Sequence, residues 1–295
     1  MAGRLYVVAT PIGNMGDLSP RAAEVLAKVD MVAAEDTRVT GKLLARIDAK
    51  NRMVSYREQT ERRLSEDLVE RMLAGESVAL VSDAGTPTIS DPGYRLVHAA
   101  AEAGLEVVSI PGPSAAIALL SVSGLPTDRF RFEGFPPSRV SARRRLLESL
   151  RGAGTTVIFY ESPHRVVEFL GEVADALGDP PVAAGRELTK MYEEVVRGKA
   201  SEVAARFSTR EPRGEFVLAV RVEADDDELA GEALDREVAA LADSGVPARE
   251  IARRLKPRGA HRRDVYDALR RLGAADADDE EQVVEEEADD DGPAT

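Results

Sequence analysis

The amino-acid sequence predicts an α/β protein: two α/β domains in series, a small helical segment, and an acidic tail. Three observations predict it. Short apolar runs alternate with amphipathic stretches from residue 4 to about 222, the pattern that strands and their covering helices produce in turn. "IPGPSA" at 110–115 places two prolines and a glycine at a strand end and marks a boundary near 112. After 222 the strand-like runs stop, and "EADDDELAGE" leads into residues with helical period alone. The predicted domains are 1–112, 113–224 and 232–273, with 274–295 as a solvated, disordered tail.

Taken in order, strands are predicted at 4–9, 30–34, 77–82 and 105–110, then at 155–160, 181–185 and 215–222. Amphipathic helices fall at 61–74, 92–103, 143–150 and 164–177. The alternation predicts largely parallel pairing. Ser19-Pro20, Asp91-Pro92 and Ser162-Pro163 each offer a capping side chain followed by proline at the first helical position, and Ser114 is a further N-cap candidate. Within 232–273, breaks at Gly245-Val246-Pro247 and at Lys256-Pro257-Arg258-Gly259 give short helices with tight turns, in the manner of a helix-turn-helix unit.

Composition narrows the function classes. The 295 residues include no Cys and three His, so disulfides and thiolate metal sites are excluded, and His98, His164 and His261 are too scattered to predict a metal site. The opening apolar run is too short for a signal peptide, and no stretch reaches the ~20 apolar residues of a membrane span. A soluble cytoplasmic protein is expected. The net charge of −14 misleads: eleven Asp and Glu fall between Asp276 and Asp291, leaving 39 basic against 42 acidic residues in the rest. Such a tail solvates, or alternatively mimics nucleic acid.

Four glycine- or proline-rich loops follow predicted strands in the first domain: "ATPIGNMGD", "AEDTR", "VSDAGTPTISDPG" and "IPGPSAA". In open α/β sheets, ligands sit beyond the carboxyl ends of the strands, so the four face one crevice. Glycine lets a ligand approach the backbone closely. No Lys or Arg accompanies the glycines of 81–93, which disfavours a nucleoside triphosphate. A cationic, phosphate-free nucleoside such as S-adenosylmethionine (SAM) suits such loops.

These stretches, with "GFPP", "FYESPHR" and "GRELTKMYEE", resemble the RsmI family of small-subunit ribosomal RNA methyltransferases, within the SAM-dependent tetrapyrrole-methylase superfamily. The resemblance runs in order from residue 4 to about 222, and more loosely into the C-terminal helices. It implies two α/β domains with SAM in the cleft between them, a homodimer, and 2′-O-methylation of a cytidine ribose in the decoding region of 16S rRNA. Carried over by position, the SAM contacts are Pro11, Asp83, Ala84, Gly85, Ile89, Ser114, Ala115, Phe159 and Tyr160. Where the superfamily has Gly-Asp-Pro, this chain has Gly85-Thr86-Pro87, so that aspartate's role does not carry over by position, and Asp83 is the alternative carrier.

The second domain contributes Glu161, His164 and Arg165 after one strand and Arg186, Glu187 and Lys190 after another. A ribose hydroxyl is a weak nucleophile, so a positioned base helps. Lys190 serves if desolvation lowers its pKa; Glu187 and Glu161 are the alternatives. Tyr160 can add a cation–π contribution beside a sulfonium. For RNA, which binds through phosphate contacts, the candidates are Arg143, Arg144, Arg165, Arg186, Arg253, Arg254, Arg262 and Arg263. Residues 249–271 hold nine Lys or Arg against three acids. The competing readings are a tetrapyrrole C-methyltransferase and a non-catalytic RNA-binding assembly factor.

Overall fold

In a computed structural model of the chain, residues 2–57, 59–209, 211–224, 231–256 and 259–273 are described. They fall into two units, divided between Glu223 and Ala224. The first unit holds two five-stranded sheets.

In the first sheet all five strands run parallel, in the order β3-β2-β4-β1-β5. They are β1 (Arg4–Val8), β2 (Met31–Ala34), β3 (Arg52–Ser55), β4 (Val78–Val81) and β5 (Glu106–Ile110). Strand alternation sends Leu5, Ala33 and Leu80 to one face, with Leu68 and Met72 of α3 (Glu61–Leu73) and Leu96 of α4 (Tyr94–Glu102). It sends Val8, Val32 and Val81 to the other, with Leu26 of α1 (Pro20–Lys28) and Leu44 of α2 (Thr37–Arg46). Covering both faces of a parallel sheet leaves its carboxyl edge as the open surface.

The second sheet departs from the largely parallel expectation. Its order is β6-β7-β10-β8-β9, and only β6 with β7 is parallel. Its strands are β6 (Phe130–Gly134), β7 (Thr156–Glu161), β8 (Pro181–Arg186), β9 (Glu194–Lys199) and β10 (Phe216–Arg221). The seven residues 187–193 between β8 and β9 are too few for a crossover helix, so the pair closes as a hairpin. Strands β3, β6 and β9 were not expected, and all three are edge strands. "RMVS", "FRFEG" and "EVVRGK" are only partly buried and lack the apolar runs that mark β4 and β7.

Helix starts divide the same way. Ser19 accepts a bond from the Ala22 amide at 3.1 Å and Pro20 opens α1, as expected. By contrast α4 begins at Tyr94 behind Gly93, and Glu61 Oε1 receives the amides of Gly93 and Arg95. Asp91 is therefore released from capping. Likewise α7 (Val166–Leu177) follows Arg165 rather than Ser162.

Helix α5 (Ala115–Ser123) leaves the first sheet and packs on the second. Ala116, Leu119 and Leu120 bury against Ile158, Ala183, Val217 and Ala219, and Ile12 of the β1 loop joins the same cluster. On the other face of that sheet, Phe159 and Phe169 meet edge-to-face at 5.1 Å, among Leu147 of α6 (Val140–Ser149) and Val203 of α8 (Ala200–Ser208).

In the second unit, α9 (Gly231–Asp243), α10 (Ala248–Leu255) and α11 (Arg262–Leu272) enclose Leu234, Val238, Ile251, Leu255, Val265 and Leu269. The acidic tail lies outside the described residues, as do 225–230 of the linker.

Arg143 faces inward rather than toward RNA. Its side chain is 3% exposed, and its guanidinium bonds Glu172 at 2.7 Å on both oxygens and Glu168 at 2.6 Å, with the Ser138 carbonyl at 3.0 Å. It pins α6 to α7. Removing one member of a buried charged network costs more than a surface contact. Arg143→Ala should therefore lose about 2 kcal/mol in urea unfolding while RNA affinity stays within twofold.

Candidate active site

The loops at the open edge of the first sheet are tied together by backbone. Thr10 and Gly85 exchange amide bonds at 2.8 and 3.1 Å, and the Thr86 hydroxyl donates to the Pro113 carbonyl at 3.1 Å. Gly85 sits at φ +81°, a conformation that favours glycine, while a Cβ there would meet Ile12 only at the ordinary contact distance of 3.4 Å. Thr88 and Ser90 also hold positive φ, at +75° and +64°. Such conformations in β-branched and bulky residues are strained, and strain of this kind concentrates at functional sites.

Between these loops and the second sheet lies a cleft of about 360 Å³. Ala84, Gly85, Ile89, Asp91, Ser114 and Ala115 line one side; Tyr160, Glu161, Ser162, Glu215 and Phe216 line the other. Among the described residues that line it there is no Lys or Arg, while three are carboxylates. The cleft therefore suits a cation. Tyr160 stands edge-on to Phe132 at 5.1 Å and Phe135 at 5.6 Å. Burial pushes its phenol up, and hydrogen bonds from Ala116 and Ser114 oppose that.

The carried-over cofactor residues divide. Ala84, Gly85, Ile89, Ser114, Ala115 and Tyr160 share the cleft. Pro11 and Asp83 line a separate cavity of about 230 Å³, beside Lys42 and Arg46. Phe159 lines neither: it is fully buried, because neighbours on a strand point to opposite faces and Tyr160 takes the cleft side. The turn between β8 and β9 and the approach to β10 supply cleft residues the sequence did not single out, Leu188, Gly214 and Glu215 among them. No sequence signal marked Gly214 and Glu215, which lead into the antiparallel β10.

Asp91, a carboxylate that the 81–93 loop supplies, also lines the cleft. Burial, with Glu35 and Asp83 nearby, pushes its carboxyl up to about 6, although a bond from Ser82 opposes the shift. Burial likewise raises Asp83, whose Oδ1 accepts the Asp36 amide at 3.0 Å.

Glu161 is 2% exposed. Its Oε1 accepts the Ser162 amide at 2.7 Å and Arg165 Nε at 2.9 Å, while Oε2 has no partner. Lys190 is the reverse of a poised base. Burial alone would lower its ammonium, but Glu187 at 2.8 Å and Glu215 at 2.9 Å outweigh that and hold it above its ordinary value. Burial alone would raise Glu187, yet Lys190 and the Glu215 amide hold it low. Lys190 is therefore charged, which corrects the expectation of a neutral amine. Its stem lies against Gly13, where a Cβ would collide with it, so this cluster clamps the β1 loop to the second sheet.

The remaining arginines differ in setting. Arg165 is committed to Glu161, and Arg144 pairs with Glu148 at 3.0 Å on the surface. In the second unit, Arg253 and Arg254 both hold Glu250, Arg263 lies 4.0 Å from Asp267, and Arg262 stands over the Tyr266 ring at 5.6 Å. Among the described residues no cluster of His, Asp or Glu forms a metal site.

Because Asp91 titrates near 6, a cationic ligand should bind more tightly once it ionises. SAM affinity by calorimetry is expected to rise from pH 5 to pH 7.5, and Asp91→Asn should flatten that rise. An unchanged profile in the variant would remove Asp91 from the cation's surroundings.

Comparison with known proteins agrees with this geometry. The tetrapyrrole (corrin/porphyrin) methylase family matches residues 4–204. The ribosomal RNA small subunit methyltransferase I of Xylella fastidiosa is 49% identical over 76% of this chain and 84% of its own length. That of Mesorhizobium japonicum is 44% identical over 91% and 92%. Among solved structures, diphthine synthase superposes with a TM-score of 0.59 at 15% identity, over 75% of this chain and 90% of its own. Uroporphyrin-III-C-methyltransferase from Thermus thermophilus gives 0.52 at 18%, over 83% and 99%; these two share the fold. The chain thus belongs to the ribosomal RNA small subunit methyltransferase I family, a group of SAM-dependent enzymes within the tetrapyrrole methylases.

Proposed function

We propose that the chain methylates the ribose 2′-hydroxyl of a cytidine in the decoding region of 16S ribosomal RNA, with SAM as donor. The observation that carries the catalytic part is Glu161 Oε2, a buried carboxylate oxygen without a partner, on a residue that lines a cleft free of Lys and Arg. An orphaned buried acceptor is costly unless a ligand supplies its donor.

The residues present fit SAM. Gly85 and Ala84 offer backbone, Ile89 and Ala115 offer apolar surface, Tyr160 a ring face, and Asp91 a negative charge. SAM supplies an electrophilic methyl on a sulfonium. Glu161 Oε2 would accept the hydrogen bond of the ribose hydroxyl, align its lone pair and take up its proton as the oxygen is methylated, the methyl leaving the donor's sulfur. Arg165 and the Ser162 amide fix the other carboxylate oxygen, so the group cannot swing away. Glu187 is engaged by Lys190 and by the Glu215 amide, which favours Glu161 between the two carboxylates. Lys190 stands at the rim as a fixed cation.

The identity of 44–49% with ribosomal RNA methyltransferases, against 18% with the porphyrin enzyme, favours RNA over a small macrocycle. Cation-rich α10 and α11 support docking of RNA by the second unit. In the same reading the enzyme acts as a homodimer in the cytoplasm.

The test uses small ribosomal subunits lacking the modification and radiolabelled SAM. Label should appear on a cytidine ribose, identified by resistance of the adjacent phosphodiester to alkali. Glu161→Gln should reduce single-turnover transfer by about 10²-fold, as loss of proton acceptance does, with SAM affinity little changed. A near wild-type rate in that variant would take the proton-accepting role from Glu161.

A further inference from the structure

Behind the cleft, the second sheet carries a hollow of about 520 Å³ lined by Arg186, Arg206 and Arg213, with Thr209, Glu194 and Glu211. Three guanidiniums face two carboxylates there. Glu194 is shared: it lies 3.1 Å from Arg186 and 3.7 Å from Arg206. Arg213 stands 3.7 Å from Glu211, both well exposed. The Nε of Arg186 is buried and has no hydrogen-bond partner in the protein. A buried N–H without an acceptor is rare, and long pairs to a shared carboxylate leave donors to spare.

The hollow and the cleft are two sides of the same segments. Pro212 and Arg213 line the hollow, and Gly214, Glu215 and Phe216 line the cleft. Arg186 lines the hollow, and Leu188 lines the cleft. An RNA strand that enters the cleft and wraps around the 211–216 segment would meet both. Arginine's planar fork matches phosphate oxygens two at a time.

We infer that the hollow formed by Arg186, Arg206 and Arg213 binds a backbone phosphodiester of the RNA next to the target nucleotide. Glu194 is its internal competitor, holding two of the arginines until the phosphate replaces it. The inference rests on the RNA methyltransferase reading above, and it adds a phosphate site to it.

The test uses the full chain and unmodified small subunits. Each phosphate contact on a single strand contributes a slope of about 0.7 in log affinity against log salt. Arg206→Ala and Arg213→Ala should each raise KM for subunits about fourfold at physiological salt and flatten its salt dependence by about that slope, with kcat and SAM affinity unchanged. Glu194→Gln should lower KM, because it frees two guanidiniums; a merely structural carboxylate would not do so. Wild-type KM and salt dependence in all three variants would overturn the phosphate site alone. No methyl transfer to subunits by the wild type would overturn the RNA reading, and the site with it.

Discussion

Helix α5 is the element on which the site depends. It follows β5 of the first sheet after a four-residue loop, yet Ala116, Leu119 and Leu120 are buried on the second. The second sheet covers one face of this apolar helix, while Ile117 and Val122 stay exposed on the other. That packing fixes how far the loops of the first sheet stand from β7 and β10. The cleft is the space left over. Ile12 in the same cluster, Gly13 against Lys190, and Gly134 close to Ser90 each set a further point of contact across it. A bulkier residue at any of them would part the two halves.

The chemistry of the cleft follows from what the packing excludes. Cations are kept at its margins, with Lys190 and Arg165 each held by carboxylates. Carboxylates line the interior, and one of them is driven toward protonation by burial and by like charge. The backbone is strained on both sides, at Thr88 and Ser90 in one loop and at Glu187 and Thr189 in the other. A protein tolerates such conformations where the surrounding structure imposes them, and here they place side chains around a ligand rather than around each other.

Much of this was legible in the sequence. The first sheet was, because parallel strands buried on both faces read as apolar runs. The glycine loops were, because a tight approach of backbone needs glycine. The edge strands β3, β6 and β9 were not, since solvent on one side removes the apolar run. Single positions failed where direction mattered: adjacent residues on β7 point oppositely, so Phe159 fills the core while Tyr160 faces the cleft. Asp91-Pro92 carries the signature of a helix cap, yet Glu61, distant in the chain, caps α4 instead. Arg143 reads as a surface cation but serves as an internal tie. Lys190 illustrates the same limit for charge: burial argued for a lowered pKa, and Glu187 together with Glu215, 25 residues away, reverses it.

The central claim is that SAM is held in the cleft between the sheets rather than in the smaller cavity beside Lys42 and Arg46. Hydrogen–deuterium exchange of the full chain, with and without S-adenosylhomocysteine, addresses it directly. Protection is predicted in four separate segments together: 84–91, 114–116, 160–163 and 214–217. Protection confined to 10–13, 39–46 and 82–83, with those four segments unchanged, would contradict it.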